Sequence, residues 1–393
     1  MYKILTLNNI SVAGLDRLPR DKYEVASEIA HPDAIMLRSF KMHDMEVPET
    51  VKAVGRAGAG VNNIPVEKMT ALGVPVFNAP GANSNAVKEL VLAGMLIAAR
   101  NIGSAWDFAR SLSGEDASIN KAVEKGKKQF VGFELPGRTL GVIGLGAIGV
   151  KVANAARALG MNVIGYDPTI TVESAWKLTH DVEQALSVDD LLSKSDFVTF
   201  HVPLVDATKN MINAERLRLM KKNAVLLNFS RSGIIDDEAA VAALDNERLY
   251  AYICDFPSNL LKEHPRCITL PHLGASTAEA EQNCAIMIAD QLKGYLENGN
   301  IRNAVNFPNI NLPRNGGYRI AVVNSNVPNM VGQISTDLAE AGLNIVDMLN
   351  RSRAGVAVTL LDTDKEPSAE TLDQIRGIEG VLSVRCLGCT ASK

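Results

Sequence analysis

Short apolar runs of four to six residues recur along the first three quarters of the chain, with helix-length stretches between them. The first series is YKILTL, DAIML, KAVGR and VPVFNA; the second is LGVIGLG, NVIGYD, DFVTFH, AVLLNFS, AYICDF and CITLPH. Runs this short and this continuous, without polar alternation, predict strands buried on both faces, as in a parallel sheet built of βαβ units. The pattern occurs twice, so two α/β sheets are expected.

Two longer helical stretches punctuate the series. SNAVKELVLAGMLIAARNIGSAWDFAR (84–110) follows the first and leads into a polar segment from Ser111 to Lys128; STAEAEQNCAIMIADQLKGYLENGN (276–300) follows the second. Read as connectors, they make the second series an insertion in the first. Residues 1–95, completed by about 283–308, then form a substrate-binding domain, and 96–282 form the inserted one, with an active cleft expected between them. NFPNINLPRNGG is dense in Asn, Pro and Gly, and 309–317 reads as a linker. From 318 to 393 the runs YRIAVVN, MVGQISTDLAEAGL, NIVDMLNRSR, GVAVTLLDTD, SAETLDQIRGI and VLSVRCLG spell βαββαβ, a small α+β module.

Composition narrows the partners. The 393 residues include 40 Lys plus Arg against 44 Asp plus Glu, for a net charge of −4. This balance favours neither nucleic acid nor an anionic membrane surface. The longest apolar run, Leu90 to Ala99, is too short to cross a bilayer, and MYKILTLNNI lacks the features of a secretory signal. The five cysteines are scattered, so reduced thiols and a cytoplasmic location are expected. CLGC (386–389) offers two of the four ligands a structural zinc needs, and no metal site is expected.

One turn carries more chemistry. In TLGVIGLGAIGVKVANAARALGMNVIGYDP, Gly144, Gly146 and Gly149 fall between a strand and a helix, and Asp167 closes the following strand 23 residues after Gly144. A dinucleotide needs a tight turn, a bare backbone near its pyrophosphate, a close helix–strand approach and an acid for its ribose, in that order. The fold class is therefore a Rossmann-type doubly wound parallel sheet inserted in a second, flavodoxin-like α/β domain, with the α+β module behind. The Asp167 carboxylate opposes a 2′-phosphate, which selects NAD over NADP.

Three strand ends of the second series carry His201, Arg231 and His272. Oxidising a hydroxyl with NAD calls for a base titrating near neutrality, and an acidic substrate calls for a fixed cation with a planar fork. The residues alone leave His272 as a base or a turn residue bonded to backbone, and Arg231 as a carboxylate clamp or a surface cation.

VGRAGAGVNNIP, NAPGANSNAVKELVLAGMLIAAR, LGVIGLGAIG, HVPLVDATKNMI, NFSRSGIIDDEAAVAAL and LPHLGASTAEAEQNCA resemble successive signatures of the D-2-hydroxyacid dehydrogenases, across essentially the whole chain. The resemblance implies that His272 is the acid/base and Arg231 the anchor of substrate carboxylate and carbonyl. It implies that Ala147, Ile148, Val202, Pro203, Ser230, Asp255 and Gly274 join Gly144, Gly146, Gly149 and Asp167 around NAD, with Asp255 on the nicotinamide carboxamide. It points to Arg56 and Arg38 for a substrate phosphate, and to Ala59, Gly60, Val61 and Asn83 for the carboxylate. The implied reaction is oxidation of 3-phospho-D-glycerate; a reductase of glyoxylate, hydroxypyruvate or another 2-keto acid is the alternative, and a non-catalytic NAD-binding regulator a further one.

One departure from the family stands out. Where a Glu that supports the catalytic histidine is expected, the chain has Asn259 and Leu260, leaving Asp255, Glu263 or no carboxylate for that task. The tail from about Tyr318 resembles an ACT domain, which binds amino acids between paired copies. Asn326 and Asn344 fit serine-binding positions, although Asn324 stands where a His is common and Asn329 where a Gly is usual. Feedback by L-serine and a homo-oligomer, dimer or tetramer, follow as expectations.

Overall fold

Ten of the sixteen strands among the described residues are the runs of the two apolar series. Two-sided burial explains why. Strand β10, AVLLN, has every residue buried, as a strand covered on both faces must. The computed structural model describes residues 1–314 and 316–388. It holds three sheets in two compact units.

The first unit comprises Met1–Ala82 and the chain from Glu281 onward. Its first sheet contains β1 (Tyr2–Leu7), β2 (Tyr23–Ala26), β3 (Ala34–Leu37), β4 (Ala53–Arg56) and β5 (Val76–Phe77), in the order β2-β1-β3-β4-β5. Every pairing is parallel, which is the flavodoxin-like order.

The second unit, Asn83–Ala280, carries β6 (Thr139–Ile143), β7 (Asn162–Tyr166), β8 (Glu183–Gln184), β9 (Phe197–Phe200), β10 (Ala224–Asn228), β11 (Leu249–Cys254) and β12 (Cys267–Thr269). The parallel order β12-β11-β10-β9-β6-β7-β8 is doubly wound about β6, as the glycine turn predicts. Helix Ser84–Ala99 packs on this sheet so closely that a Cβ on Gly94 would sit 3.0 Å from the Phe229 ring. Left-handed Asn101, with φ +51°, ends that run and starts helix Ile102–Ser111. The polar segment after it forms a helix as well, Asp116–Gly126; neither of these two helices buries a residue.

The tail folds as β13 (Tyr318–Ser325), β14 (Ile345–Arg353), β15 (Val356–Thr363) and β16 (Val381–Leu387), in the antiparallel order β14-β15-β13-β16. One face shares a core with the first sheet: Val323, Val358 and Leu360 cluster with Phe77, Ile288 and Leu296. Ile310 and Leu312, in and beside the Asn- and Pro-rich stretch, are buried in the same cluster. At this junction Arg319 is wholly buried and forms a two-pronged pair with Asp362 at 2.7 Å per prong. Its remaining donors reach the carbonyls of Asn298, Leu312 and Pro313, so the guanidinium ties β13 to the C-terminal end of helix Ala278–Asn298.

Candidate active site

Chain order reverses at β6: the chain continues into β7 and β8 on one side and returns to β9 on the other. This leaves a crevice outside the C-terminal ends of β6 and β9. The glycine turn fills its floor. Gly144 has φ +90°, and a Cβ there would fall 2.6 Å from the carbonyl oxygen of His201. A Cβ on Gly149 would collide with the carbonyl oxygen of Gly144. Gly146 has open space on its Cβ side, so its backbone is bare where a pyrophosphate needs it. Ala147 and Ile148 complete the turn, and Ile148 brings no side-chain cap to helix Gly149–Ala158, leaving first-turn N–H groups for an anion.

Asp167 locks this turn. Its Oδ2 accepts the Leu145 N–H at 2.9 Å, and its Oδ1 accepts the N–H and hydroxyl of Thr169 at 2.9 and 3.1 Å. A carboxylate has about four acceptor sites, so capacity remains for a ribose hydroxyl. The residues of this turn fit a dinucleotide.

The next strand ends are stitched together. Ser230 Oγ donates to the Val202 carbonyl at 2.6 Å, and Thr208 Oγ1 to that of Pro203 at 2.6 Å. Asn228, 1% exposed, closes the turn after β10: its Oδ1 accepts the Ser230 N–H, and its Nδ2 donates to the Arg231 carbonyl at 2.9 Å. Arg231 is exposed and gives one N–H to the Ser230 carbonyl at 2.7 Å. Sequence reasoning passed over Asn228, although an Asn ending an apolar strand one turn before a functional Arg is a readable signal. His201 shares a 3.1 Å hydrogen bond with Thr199, and its Nδ1 is enclosed without a partner among the described residues. Burial pushes that imidazole down to about 3, so it stays neutral.

The last two strand ends bring Asp255 and His272 together. His272 has φ +51° and donates its backbone N–H to the Asp255 carbonyl at 3.0 Å. Two residues on, the Gly274 N–H donates to Asp255 Oδ2 at 3.1 Å. The imidazole is exposed, and its ring meets Phe256 edge-on at 5.1 Å. Asp255 is 1% exposed; burial raises its pKa, opposed by the Gly274 N–H and the charge of His272. The charge of His272 acts on the Asp255 carboxyl, and Glu263, Asn259 and Leu260 are exposed. Asp255 Oδ1 is enclosed with no partner among the described residues, and a carboxamide N–H₂ would satisfy it. Because β10, β11 and β12 are adjacent and parallel, Arg231, Asp255 and His272 share one rim; Gly274 lies against the Phe229 carbonyl, two residues before Arg231.

In the first unit Arg56 is half-buried and spends its guanidinium on backbone, on the Arg38 carbonyl at 3.0 Å and the Gly60 carbonyl at 2.6 Å. Arg38 pairs with Glu281 at 2.7 Å and lines a polar cavity of about 510 Å³ with Asn8, Asn9 and Ser39. Asn78 holds the Ala59 carbonyl at 2.6 Å, and among the described residues no acceptor takes the N–H groups of Ala59, Gly60 and Val61. Asn83 precedes helix Ser84–Ala99 in the second unit, its Oδ1 enclosed and unpartnered among the described residues.

Asn326 donates its side-chain N–H to the Ala354 carbonyl at 3.1 Å, at the β14–β15 turn. Asn344 sits at the other end of β15, its backbone N–H on Asp364. The eight residues of β15 separate the two by about 26 Å at ~3.3 Å per residue, so one chain does not bring them together. Cys389 of CLGC lies outside the described residues. Among the described residues no cluster of His, Cys, Asp or Glu is placed to hold a metal ion, and no helix is long and apolar enough to cross a membrane.

Residues 93–274 match the family model for the D-isomer specific 2-hydroxyacid dehydrogenase, NAD binding domain. The chain is 38% identical to a D-3-phosphoglycerate dehydrogenase of Methanocaldococcus jannaschii over 84% of its own length, but spans 61% of that relative. It is 32% identical to the D-3-phosphoglycerate dehydrogenase of Escherichia coli K12 over 91% of its length and 87% of the relative. The solved structure of the TT0316 protein from Thermus thermophilus superposes with a TM-score of 0.61 at 26% identity, over 77% of this chain and 99% of that one. With the doubly wound sheet, its glycine turn and this sequence identity in hand, the chain belongs to the D-isomer specific 2-hydroxyacid dehydrogenase family.

Proposed function

We propose that the chain oxidises 3-phospho-D-glycerate to 3-phosphohydroxypyruvate with NAD, the first step of L-serine biosynthesis. The observation that carries this reading is the rim on which Arg231 follows β10 and His272 follows β12, on either side of β11 and the buried carboxylate of Asp255 that follows it. The D-3-phosphoglycerate dehydrogenases it resembles supply the substrate.

Bound NAD supplies the acceptor for the hydride that leaves C2. His272 takes the hydroxyl proton in the same step, so both hydrogens lost from the substrate are accounted for. Its left-handed turn presents the ring outward while two hydrogen bonds fix the backbone beneath it. Arg231 holds the carboxylate and draws charge onto the forming carbonyl oxygen, a task for which a planar fork is suited. Within the first unit, the open N–H groups of Ala59 to Val61 are donors suited to a carboxylate, and Arg38, rather than the backbone-bound Arg56, is the cation suited to a phosphate.

The tied guanidinium of Arg56 also favours a second reading, a reductase of glyoxylate, hydroxypyruvate or another 2-keto acid without a phosphate. Following NAD reduction with 3-phosphoglycerate, D-glycerate and D-lactate separates the two. We expect the phosphorylated acid to be preferred; equal or better turnover of D-glycerate overturns the first reading.

Serine would act between copies of the chain, with Asn326 from one and Asn344 from the other. Exposed Ile102, Trp106 and Val131 support a homo-oligomer, since a cluster of large apolar side chains is usually covered by a partner.

A further inference from the structure

Arg38 stands on a fixed base. It follows the fully buried strand β3, and its carbonyl accepts the Arg56 Nε–H at 3.0 Å and the Asn63 Nδ2–H at 3.2 Å. Asn8 Oδ1 accepts the N–H groups of the next two residues, Ser39 and Phe40, at 3.1 and 2.5 Å. These bonds hold the backbone in place beneath a side chain that lines the cavity shared with Asn8, Asn9 and Ser39. A cation so placed is organised for an anion before the anion arrives.

The cation is nevertheless occupied. Glu281, the fourth residue of helix Ala278–Asn298, brings Oε1 to 2.7 Å from Arg38 Nη2. The two side chains are 39% and 42% exposed, and an exposed pair of this kind adds little to stability. Burial raises the pKa of the Cys284 thiol, three residues along the helix; the charges of Arg38 and Arg56 oppose that rise and Glu281 adds to it, so all three charges gather at one turn. Among the described residues Arg56 bonds carbonyls, and Arg38 pairs with no carboxylate other than Glu281.

A phosphate monoester carries a charge of about −1.5 to −2 and three strong acceptor oxygens, more than a carboxylate offers. A phosphoryl group entering the cavity therefore displaces Glu281 from the guanidinium, and the cost of that displacement is subtracted from its affinity. The phosphoryl group is remote from C2 and meets the same cation in substrate, transition state and product. Binding of that uniform kind lowers KM without raising kcat, and an unopposed cation would hold the product as firmly as the substrate.

We propose that Glu281 is an internal counter-ion that competes with the phosphoryl group for Arg38 and so sets the affinity for substrate and product alike. The role rests on the reading of Arg38 as the cation for a substrate phosphate.

The test uses the full chain with saturating NAD. 2-Phosphoglycolate carries a carboxylate and a phosphoryl group but no hydroxyl to oxidise, so calorimetric titration reads binding alone. Glu281→Gln should tighten 2-phosphoglycolate by about three- to tenfold, and Arg38→Gln should weaken it by about tenfold or more. In the Arg38→Gln background, Glu281→Gln should shift the affinity by less than about twofold, because the competitor has lost what it competes for. In steady state, Glu281→Gln should lower KM for 3-phosphoglycerate by the same factor as it tightens the analogue, with kcat unchanged or reduced; a Glu281 that only supports its helix would tighten nothing. Unchanged or weaker binding in Glu281→Gln, an equal gain in the Arg38→Gln background, a raised KM, or no binding of 2-phosphoglycolate to wild type and Glu281→Gln alike overturns the proposal. Binding that follows the expected pattern without oxidation of 3-phosphoglycerate leaves the counter-ion standing and removes only the catalytic reading.

Discussion

The Gly274 N–H reaches Oδ2 of Asp255 across 3.1 Å, and this single buried carboxylate anchors the turn that presents His272. Removing a charged acceptor beneath a turn costs roughly 1.5–3 kcal/mol. Asp255→Ala should therefore lower kcat by about 10- to 100-fold, with a smaller effect on folding, in steady-state assays beside a melting curve; kcat within about twofold of wild type would detach Asp255 from the site. Burial raises the Asp255 pKa, so the folded chain holds that proton more tightly than the unfolded one. Its contribution to stability is present below the ordinary carboxylate range and lost as pH rises through the raised value. Asp255→Asn should gain in Tm relative to wild type as pH rises from below the ordinary carboxylate range.

His272→Ala should cost about 10²- to 10⁴-fold in turnover, the range for a lost acid/base. Arg231→Lys should cost nearly as much, because an ammonium cannot reproduce a bidentate grip. Near-normal activity in either variant removes that residue from the mechanism.

In the proposed reading Asp167 takes a ribose hydroxyl, and its carboxylate would oppose the extra charge of a 2′-phosphate. A 2′-phosphate ~4 Å away would be repelled by roughly 4 kcal/mol at an effective dielectric of about 20. Asp167→Ala should narrow the preference for NAD over NADP, read as a ratio of kcat/KM values. The same change frees Leu145 from its 2.9 Å bond, so affinity for both cofactors should fall together.

Arg319 and Asp362 form the buried pair at the tail's junction. Asp362→Ala leaves an uncompensated guanidinium and should destabilise the full chain by about 3–5 kcal/mol in denaturant unfolding. A loss under about 1 kcal/mol would mean that the carbonyls of Asn298, Leu312 and Pro313 suffice for that charge.

The sequence displayed the fold wherever burial is two-sided. Continuous apolar runs such as AVLLN exposed β10 directly, but β2 (YEVA) and β8 (two residues, Glu183 and Gln184) are edge strands with few apolar neighbours to mark them. The segment 111–128 reads only as a polar stretch because helix Asp116–Gly126 buries nothing. At the site, the glycine turn and Asp167 were readable because backbone geometry dictates the residue type. Hydrogen-bond partners were not. Nothing in GRAGAG shows that Arg56 is engaged by carbonyls, and nothing in YRIAVVN shows that Arg319 is paired, because Asp362 lies 43 residues further on.

The span of β15 that keeps Asn326 and Asn344 apart also dictates a counting rule. In the proposed two-fold pair, each composite serine site would borrow one asparagine from either molecule, so a pair made only of Asn326→Ala chains, or only of Asn344→Ala chains, would have no complete site. Mixing the two variants creates hybrids in which one site has lost both side chains and the other has regained both, so a serine response absent from each preparation should return, at half strength per hybrid, when they are combined.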